Sequence, residues 1–376
     1  MAKLGLKLSR GKMKQKQNSF VLVFMFITAV LGAILGAGFA SGKEIQTFFT
    51  NYGSLAYTLM IIAFLIFAWT FYLFARIGKI VKPHSISDIT RASLGKASYG
   101  VDILLVLSMF VTLSAMLSAV DGFAQTIDPN YTFPWASIVM AILVILTLSG
   151  GKKSMFNTNL IVMPMVVVML FAVLLSFFVG TPKESVSIEW VQSTSLQTKG
   201  LLYSFLYAGL NTISESFIVA RVSEKMNKRQ AIIASVSCSL VILLFVFMIS
   251  TALINAGDYV YNSSLPLLKL AYLTNTGLGN SYGLVLLLAI FTTLVSTTYT
   301  MTSWLKQFVK NKFLSTNIIV VIGFILSRFG FANIVENLYP LKGVLGVVLI
   351  VSFSIFYVSH NKRKKLDYKY TSQLYY

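Results

Sequence analysis

The chain has 376 residues, 56% of them hydrophobic and only 11% charged, with a net charge of +19. A soluble domain carries about 25% charged residues, so lipid is the solvent for most of this chain, and its apolar segments leave no soluble domain over. The positive charge does not mark a nucleic-acid binder, because the basic residues sit in short tracts between apolar runs, as the positive-inside rule requires. Cys238 is the one cysteine, which excludes an intrachain disulfide, and His84 and His360 lie in polar segments away from any candidate nucleophile. No catalytic group, metal cluster or cofactor is expected, and the composition excludes a soluble enzyme.

Residues 1–18 form a basic segment. The apolar run that follows, FVLVFMFITAVL from Phe20, exceeds the short core of a cleaved signal peptide and reads as a retained helix. Spans of about 20 apolar residues then recur along the chain. Ten membrane helices are predicted, over about 19–49 (interrupted), 55–79, 100–126, 133–149, 155–179, 199–221, 230–255, 282–306, 314–331 and 339–358. Residues 19–358 make one transmembrane domain, and 359–376 a basic C-terminal tail. Of the 31 lysines and arginines, all but Lys43, Lys183, Lys199, Lys269, Arg328 and Lys342 fall on one side of this topology. That side is the cytoplasm, and both termini lie there.

Ten helices divide into two fives, about 19–180 and 199–358, and an odd-numbered half reverses direction when repeated. Helices one and six then cross in opposite senses, the geometry of an inverted-repeat fold. In helix one, Gly32, Gly36, Gly38 and Gly42 crowd GAILGAGFASGKE. The GxxxG spacings permit close packing, but Ser41-Gly42-Lys43-Glu44 also reads as a capping box, a helix start placed where a helix should continue. An interruption there leaves amides and carbonyls at membrane depth, which is tolerable where they line a cavity or bind something. In helix six, Tyr203, Tyr207, Asn211 and Glu215 form one polar stripe at i, i+4 spacing, with Gly209 inside it. A break at Gly209 and a continuous helix with a polar interface both fit. Glu215, an ionisable residue within a span, reads either as functional or as half of an ion pair near the basic end. Helix three brings Ser114, Ser118 and Asp121 to one face. Ser114 falls near mid-membrane and Asp121 near an outer vestibule, and Asp102 is expected to be solvated.

These residues resemble the amino acid–polyamine–organocation superfamily, whose members share the LeuT fold. GAILGAGFA looks like the glycine-rich unwound segment of helix one and YAGLN like the aromatic-x-Gly-x-acid segment of helix six, with Asn211 where many relatives carry an acid. VSEKMNKRQAI looks like the basic loop before helix seven, and GAGFASGKEIQTFF resembles the bacterial YkvI-type permeases. The resemblance implies an all-α membrane protein of ten helices in a 5+5 inverted repeat, with helices one and six broken, multi-pass in a bacterial cell membrane. It implies a secondary transporter for a small organic solute, an amino acid or related amine. The solute would lie at Gly36, Ala37, Gly38, Ser114, Tyr207, Gly209 and Asn211.

Helix eight carries Thr293, Ser296, Thr297 and Thr300 along one face. In sodium-coupled members of the fold, hydroxyls of helix eight join carbonyls of the helix-one break around one ion. Here these would be Ser296 and Thr297, beside Thr293, with the carbonyls of Gly32 and Leu35, although such hydroxyls also bond their own helix. Proton-coupled relatives can place a lysine of helix five in that space. Lys152 and Lys153 only precede helix five, so sodium is favoured over a proton carried by Glu215 or Glu44. The rival reading is a germination-type nutrient sensor of the same fold, without net transport. The bilayer and the solute are the expected partners, and nothing in the sequence sets the oligomeric state.

Overall fold

The computed structural model describes residues 19–83, 86–149, 155–180, 194–305, 309 and 311–373. The expected basic segment over 1–18 lies outside them. Among the described residues the chain is helical, with no strand. The first span is built from three pieces, α1 (Ser19–Ile34), α2 (Ala37–Ser41) and α3 (Lys43–Phe48). After a 3₁₀ turn, α4 (Ala56–Val81) returns, and a short α5 (Ile86–Leu94) leads into α6 (Ser98–Ile127). The first half ends with α7 (Trp135–Ser149) and α8 (Met155–Gly180). The second half opens with α9 (Thr194–Val222) and α10 (Lys228–Asn255). Two short helices, α11 (Asp258–Tyr261) and α12 (Pro266–Thr274), connect to α13 (Thr276–Leu305) and α14 (Lys312–Ser327). The last span begins at α15 (Phe331–Asn333), passes through a π turn over Ile334–Leu338 and continues as α16 (Tyr339–Gln373).

Six of these helical stretches are long and apolar enough to cross a bilayer, and three shorter apolar helices accompany them. With α9 they make up the ten expected spans. The last span starts earlier than its hydropathy suggested, and Pro340 explains how. Its ring would crowd the carbonyl four residues back, that of Glu336, and it offers no amide to that carbonyl. Widening the preceding turn to a π turn absorbs the conflict.

Helix six differs from expectation. The resemblance implied a break in this helix, and the residues themselves fitted either a break at Gly209 or a continuous helix; α9 runs uninterrupted from Thr194 to Val222. Gly209 serves packing instead. A Cβ there would collide with the Gly343 carbonyl and lie 2.7 Å from the Val347 amide. A Cβ on Gly346 would in turn strike the Gly209 carbonyl, and one on Gly343 the Leu206 carbonyl. Three glycines thus let the α9 and α16 backbones touch, the close approach that small residues permit in membranes. Trp69 Nε1 donating to Ser354 Oγ at 3.1 Å adds α4 to the same group.

The two ends of the bundle are closed differently. At the end bearing α12, Leu267, Leu268, Leu270 and Ala271 are fully buried, and α12 packs on α13, α8 and α2. Asp121, expected in a vestibule, is 8% exposed. It pairs with Arg328 at 2.6 Å and accepts from Tyr131 Oη at 2.8 Å and the Ser137 amide at 3.0 Å, which ties α6, α7 and α14 together. At the end bearing α5, Asp102 is not merely solvated, because it accepts from Ser87 at 3.1 Å and Thr90 at 3.3 Å and so holds α5 on α6. Ser19 accepts from Gln230 Nε2 at 2.8 Å, fastening the start of α1 to α10.

The glycine crossing gives a stability test. Gly346→Leu forces a side chain into the α9 backbone and is expected to cost 1–3 kcal/mol or more, as overpacking does, by about that margin in thermal unfolding of detergent-purified protein. Gly100→Ala adds a Cβ with nothing within 4 Å in a helix. It is expected to leave stability unchanged or raise it by up to about 1 kcal/mol.

Candidate solute site at the interrupted first helix

The interruption predicted in helix one is present, and it is double. Helix α1 ends at Ile34, and Gly36 takes an extended conformation (φ −69°, ψ −171°) before α2 begins. Gly42 then breaks the chain again, with φ +81°. That conformation favours glycine, and the site demands it twice, because a Cβ there would also lie 2.8 Å from Leu267 Cγ of α12.

The capping box read from Ser41 and Glu44 does not form. Helix α3 is capped by Gly42 with no side-chain hydrogen bond. Ser41 Oγ accepts from the Lys43 amide at 3.1 Å and donates to the Gly38 carbonyl at 2.6 Å. With Gly42 left-handed, Ser41 lies outside the first turn of α3, so its hydroxyl reaches the nearer amide. The Ala40 carbonyl, freed by the same break, accepts from Tyr282 Oη of α13 at 2.5 Å. The second interruption is therefore satisfied from within the protein.

The first interruption is left open. The last carbonyls of α1 and the first amides of α2 lack intrahelical partners by geometry. Gly36, the N-cap of α2, has no side chain to cap with. The Leu35 amide still donates to the Leu31 carbonyl at 2.8 Å and the Gly36 carbonyl accepts from the Ala40 amide at 2.9 Å, while among the described residues no side chain bonds the carbonyls of Gly32 or Leu35. Gly36, Ala37 and Gly38 lie there as expected, with Ala37 and Gly38 buried. Gly32 faces Met163 of α8, whose Cβ is 3.7 Å from a Cβ built on it, and Leu35 is fully buried.

Glu44 turns back toward this opening. Its Oε1 lies so close to Gly38 that no Cβ fits between them. The residue is 7% exposed, and among the described residues no group hydrogen-bonds its carboxylate. Around it stand Tyr207 of α9 and Tyr339 and Lys342 of α16, all within its electrostatic range. Tyr207 is fully buried, with ring centroids of Phe48, Phe49 and Phe67 at 5.3, 4.9 and 5.7 Å. Among the described residues its hydroxyl makes no hydrogen bond within ordinary distance and angle, although the Asn211 side chain acts on it. The nearby Asn211 amide donates instead to the Tyr207 carbonyl at 3.0 Å. Lys342 Nζ donates to Thr112 Oγ1 of α6 at 3.0 Å and sits 5.9 Å from the Tyr339 ring centre. Next to Glu44, buried Lys43 pairs with Glu336 of the π turn at 2.8 Å.

The remaining expected residues are placed as follows. Ser114 is buried and bonds the carbonyls of Phe110 and Val111 on its own helix, at 2.9 and 3.0 Å. On α13, Thr293 bonds the Ala289 carbonyl at 2.8 Å and Ser296 the Thr293 carbonyl at 3.1 Å, while Thr297 is half-buried. Gly209 faces α16, as described above. The backbone of Glu215 belongs to α9, and its side chain lies outside the described residues. Sequence reasoning did not single out Tyr282, Tyr339, Lys342 or the Lys43–Glu336 pair. One signal for two of them was available, because Lys43 and Lys342 are among the few cations on the minority side of the charge distribution.

This architecture is the LeuT fold. Superposition on Mhp1, a nucleobase-cation-symport-1 family transporter in a closed conformation with bromovinylhydantoin bound, gives a TM-score of 0.63 at 12% identity, covering 91% of this chain and 79% of that one. MhsT in complex with L-phenylalanine gives 0.58 at 15% identity, covering 89% and 98%. No family model matches the chain. By sequence it is similar to two proteins of Bacillus subtilis (strain 168). The uncharacterized protein YyaD is 26% identical over 332 residues, 87% of this chain and 94% of that one. The uncharacterized membrane protein YkvI is 23% identical over 347 residues, 90% and 95%. Both similarities span nearly the full length of both chains.

The Lys43–Glu336 pair is asymmetric, its side chains being 8% and 42% exposed. Glu336→Gln strands a buried ammonium and is expected to cost about 3 kcal/mol. Lys43→Met leaves a carboxylate that can reach water and should cost less than about 1 kcal/mol. Thermal unfolding of the two variants checks the order, and equal losses would contradict the burial argument.

Proposed function

We propose that the chain is a secondary transporter for a small organic solute, an amino acid or related amine, working in a bacterial cell membrane with both termini in the cytoplasm. One observation carries the reading. The first span is interrupted at Leu35–Gly36, where the glycine that begins α2 offers no side-chain cap. Unsatisfied backbone at membrane depth persists where it lines a cavity or binds a ligand, and the substrate sites of inverted-repeat transporters are built from such segments. The likeness to Mhp1 and MhsT supports the class, since one is a transporter and the other binds L-phenylalanine.

Sodium is the preferred coupling ion in this reading. Carbonyls of Gly32 and Leu35 and hydroxyls of Ser296 and Thr297, with Thr293 beside them, are hard oxygen donors suited to it. The ion would hold the interruption in one arrangement and strengthen solute binding, and linkage makes the solute strengthen ion binding equally. Protonation of Glu215 or Glu44 is the competing coupling.

Uptake by protein reconstituted in liposomes, over a panel of amino acids and amines, with sodium or choline and from mildly acidic to mildly alkaline pH, tests the reading. Sodium-dependent accumulation is expected, and Ser296→Ala with Thr297→Ala should weaken the sodium effect more than solute binding at saturating sodium. Sodium-independent, pH-tracking uptake altered by Glu215→Gln or Glu44→Gln would transfer the coupling to protons. Binding without uptake would favour a sensor. Orientation is checked with single cysteines in a Cys238→Ser background. An impermeant thiol reagent on intact cells should label a cysteine at Asn262 and not one at exposed Lys225.

A further inference from the structure

We propose that the chain holds one phospholipid at the end bearing α12, with an acyl chain in a groove walled by α6, α7, α12 and α13 and the phosphate against Lys269.

The groove has a volume of about 510 Å³. Phe123 and Ile127 of α6, Met140 and Leu143 of α7 and Tyr272 of α12 form three of its walls, and α13 from Asn280 to Phe291 forms the fourth. Asn280 is the one fully polar residue of the lining, and its Oδ1 accepts from Tyr272 Oη at 2.9 Å. Ile127, Leu143 and Leu284 of the lining are about half exposed, so the groove opens on the bilayer. None of its lining residues belongs to α1, α2 or α3, which sets it apart from the candidate solute site.

Depth and width decide the occupant. Phe291 lies eleven residues beyond Asn280 on α13, about 16 Å at 1.5 Å per residue. Half of a bilayer's hydrocarbon core is about 15 Å thick, so the groove runs the depth of one leaflet. Trp135, the first residue of α7, is exposed, and tryptophan settles at headgroup level. Met140 and Leu143 follow it at about 8 and 12 Å along the helix, within the same leaflet. Spread over its length, the groove has a cross-section of about 32 Å². An α-helix with side chains, about 10 Å across, needs about 80 Å². The groove is too narrow for a partner helix and suits an extended hydrocarbon chain.

The headgroup end lies on the adjoining faces of α6 and α12. A second cavity of about 480 Å³ is bounded by Gly122, Gln125 and Thr126 of α6, by Asn262 to Ser264, and by Tyr259 and Lys269. The two cavities share walls. Gly122 and Thr126 immediately precede the groove residues Phe123 and Ile127, and Lys269 stands one turn before Tyr272 on α12. Lys269 is the one cation of this lining, and its Nζ lies 4.1 Å from the centre of the Tyr259 ring. A ring takes one side of an ammonium, which keeps N–H donors for an anion on the other. Gln125 and Asn262, both exposed, add amide donors. Asp128, the acid next to Ile127, accepts from the Asn130 amide at 2.9 Å and lines neither cavity. A phospholipid joins the same two halves, an anionic phosphate at the interface and a hydrocarbon chain beneath it.

The test uses the full chain, purified in detergent, stripped of lipid and titrated with 1-palmitoyl-2-oleoyl-phosphatidylglycerol, with retention read by native mass spectrometry. One lipid per chain is expected to be held, at least fivefold better than the matching diacylglycerol, which lacks the phosphate. Leu284→Trp fills the groove and should cut retention at least fivefold. Leu244→Trp, at a similarly exposed position of α10, should leave it unchanged. Ile127→Trp, at the mouth, repeats the steric test if Leu284→Trp fails to fold. Lys269→Gln should remove most of the advantage over diacylglycerol without lowering the retention of diacylglycerol itself. Glycerol 3-phosphate, the headgroup chemistry without a chain, should not displace the lipid. Displacement by it would make the site one for soluble anions and overturn the proposal. Equal losses in Leu284→Trp and Leu244→Trp, equal retention of the two lipids, an advantage unchanged in Lys269→Gln, or no retained lipid would overturn it as well.

Discussion

A peptide group inside a bilayer has no water to turn to, so every amide and carbonyl set loose there must be given a partner by the protein or by a ligand. The first span sets several loose at two places. At Gly42 the protein supplies the partners, with Ser41 bridging the break along the chain and Tyr282 reaching across from α13 to the Ala40 carbonyl. At Leu35–Gly36 the Leu35 amide and the Gly36 carbonyl keep backbone partners in Leu31 and Ala40, and among the described residues no side chain bonds the carbonyls of Gly32 or Leu35. The surrounding structure closes on the end of the span beyond Gly42. Helix α3 is wholly buried, α12 presses Leu267 on Gly42, and Gln46 reaches the Tyr261 carbonyl at 2.7 Å.

The minority cations follow the same logic for charge. A lysine or arginine on the disfavoured side of the topology needs a local reason to be there. Each of those described has a partner. Lys43 has Glu336 and Arg328 has Asp121. Lys342 has Thr112 and the Tyr339 ring. Lys199 and Lys269 lie over the rings of Tyr203 and Tyr259, at 5.5 and 4.1 Å. All but the Lys199 contact join separate elements, and the Lys342 contact also brings a cation to the centre where Glu44 is buried.

Glycine shows how one residue type serves opposite ends. Gly42 is used for its left-handed backbone, whereas Gly209, Gly343 and Gly346 are used for their missing side chains. Both uses place glycines in apolar helices, and one glycine in a polar stripe does not say which applies. The density of glycines in helix one, followed by Lys43 and Glu44 within a span, did say so. The lone Gly209 of helix six did not, and its expected break gave way to helix packing.

Hydropathy, charge segregation and glycine density are properties of consecutive residues, and they were enough to set the ten spans and the interruption of helix one. The capping box was also legible as a pattern, but the pattern assumes ordinary backbone between its two ends. Gly42 is left-handed where Leu267, distant in the chain, packs against it, so Ser41 bonds the nearer Lys43 amide and Glu44 turns toward Gly38 instead of closing the box. The centre itself came from tertiary structure. Glu44, Tyr207, Tyr339 and Lys342 lie on three helices from opposite halves of the chain, and nothing in the local run of residues around any of them specifies the others. Which of them meet is decided by how closely α9 and α16 approach, by the π turn that Pro340 imposes, and by the turn at Gly42 that aims Glu44 inward.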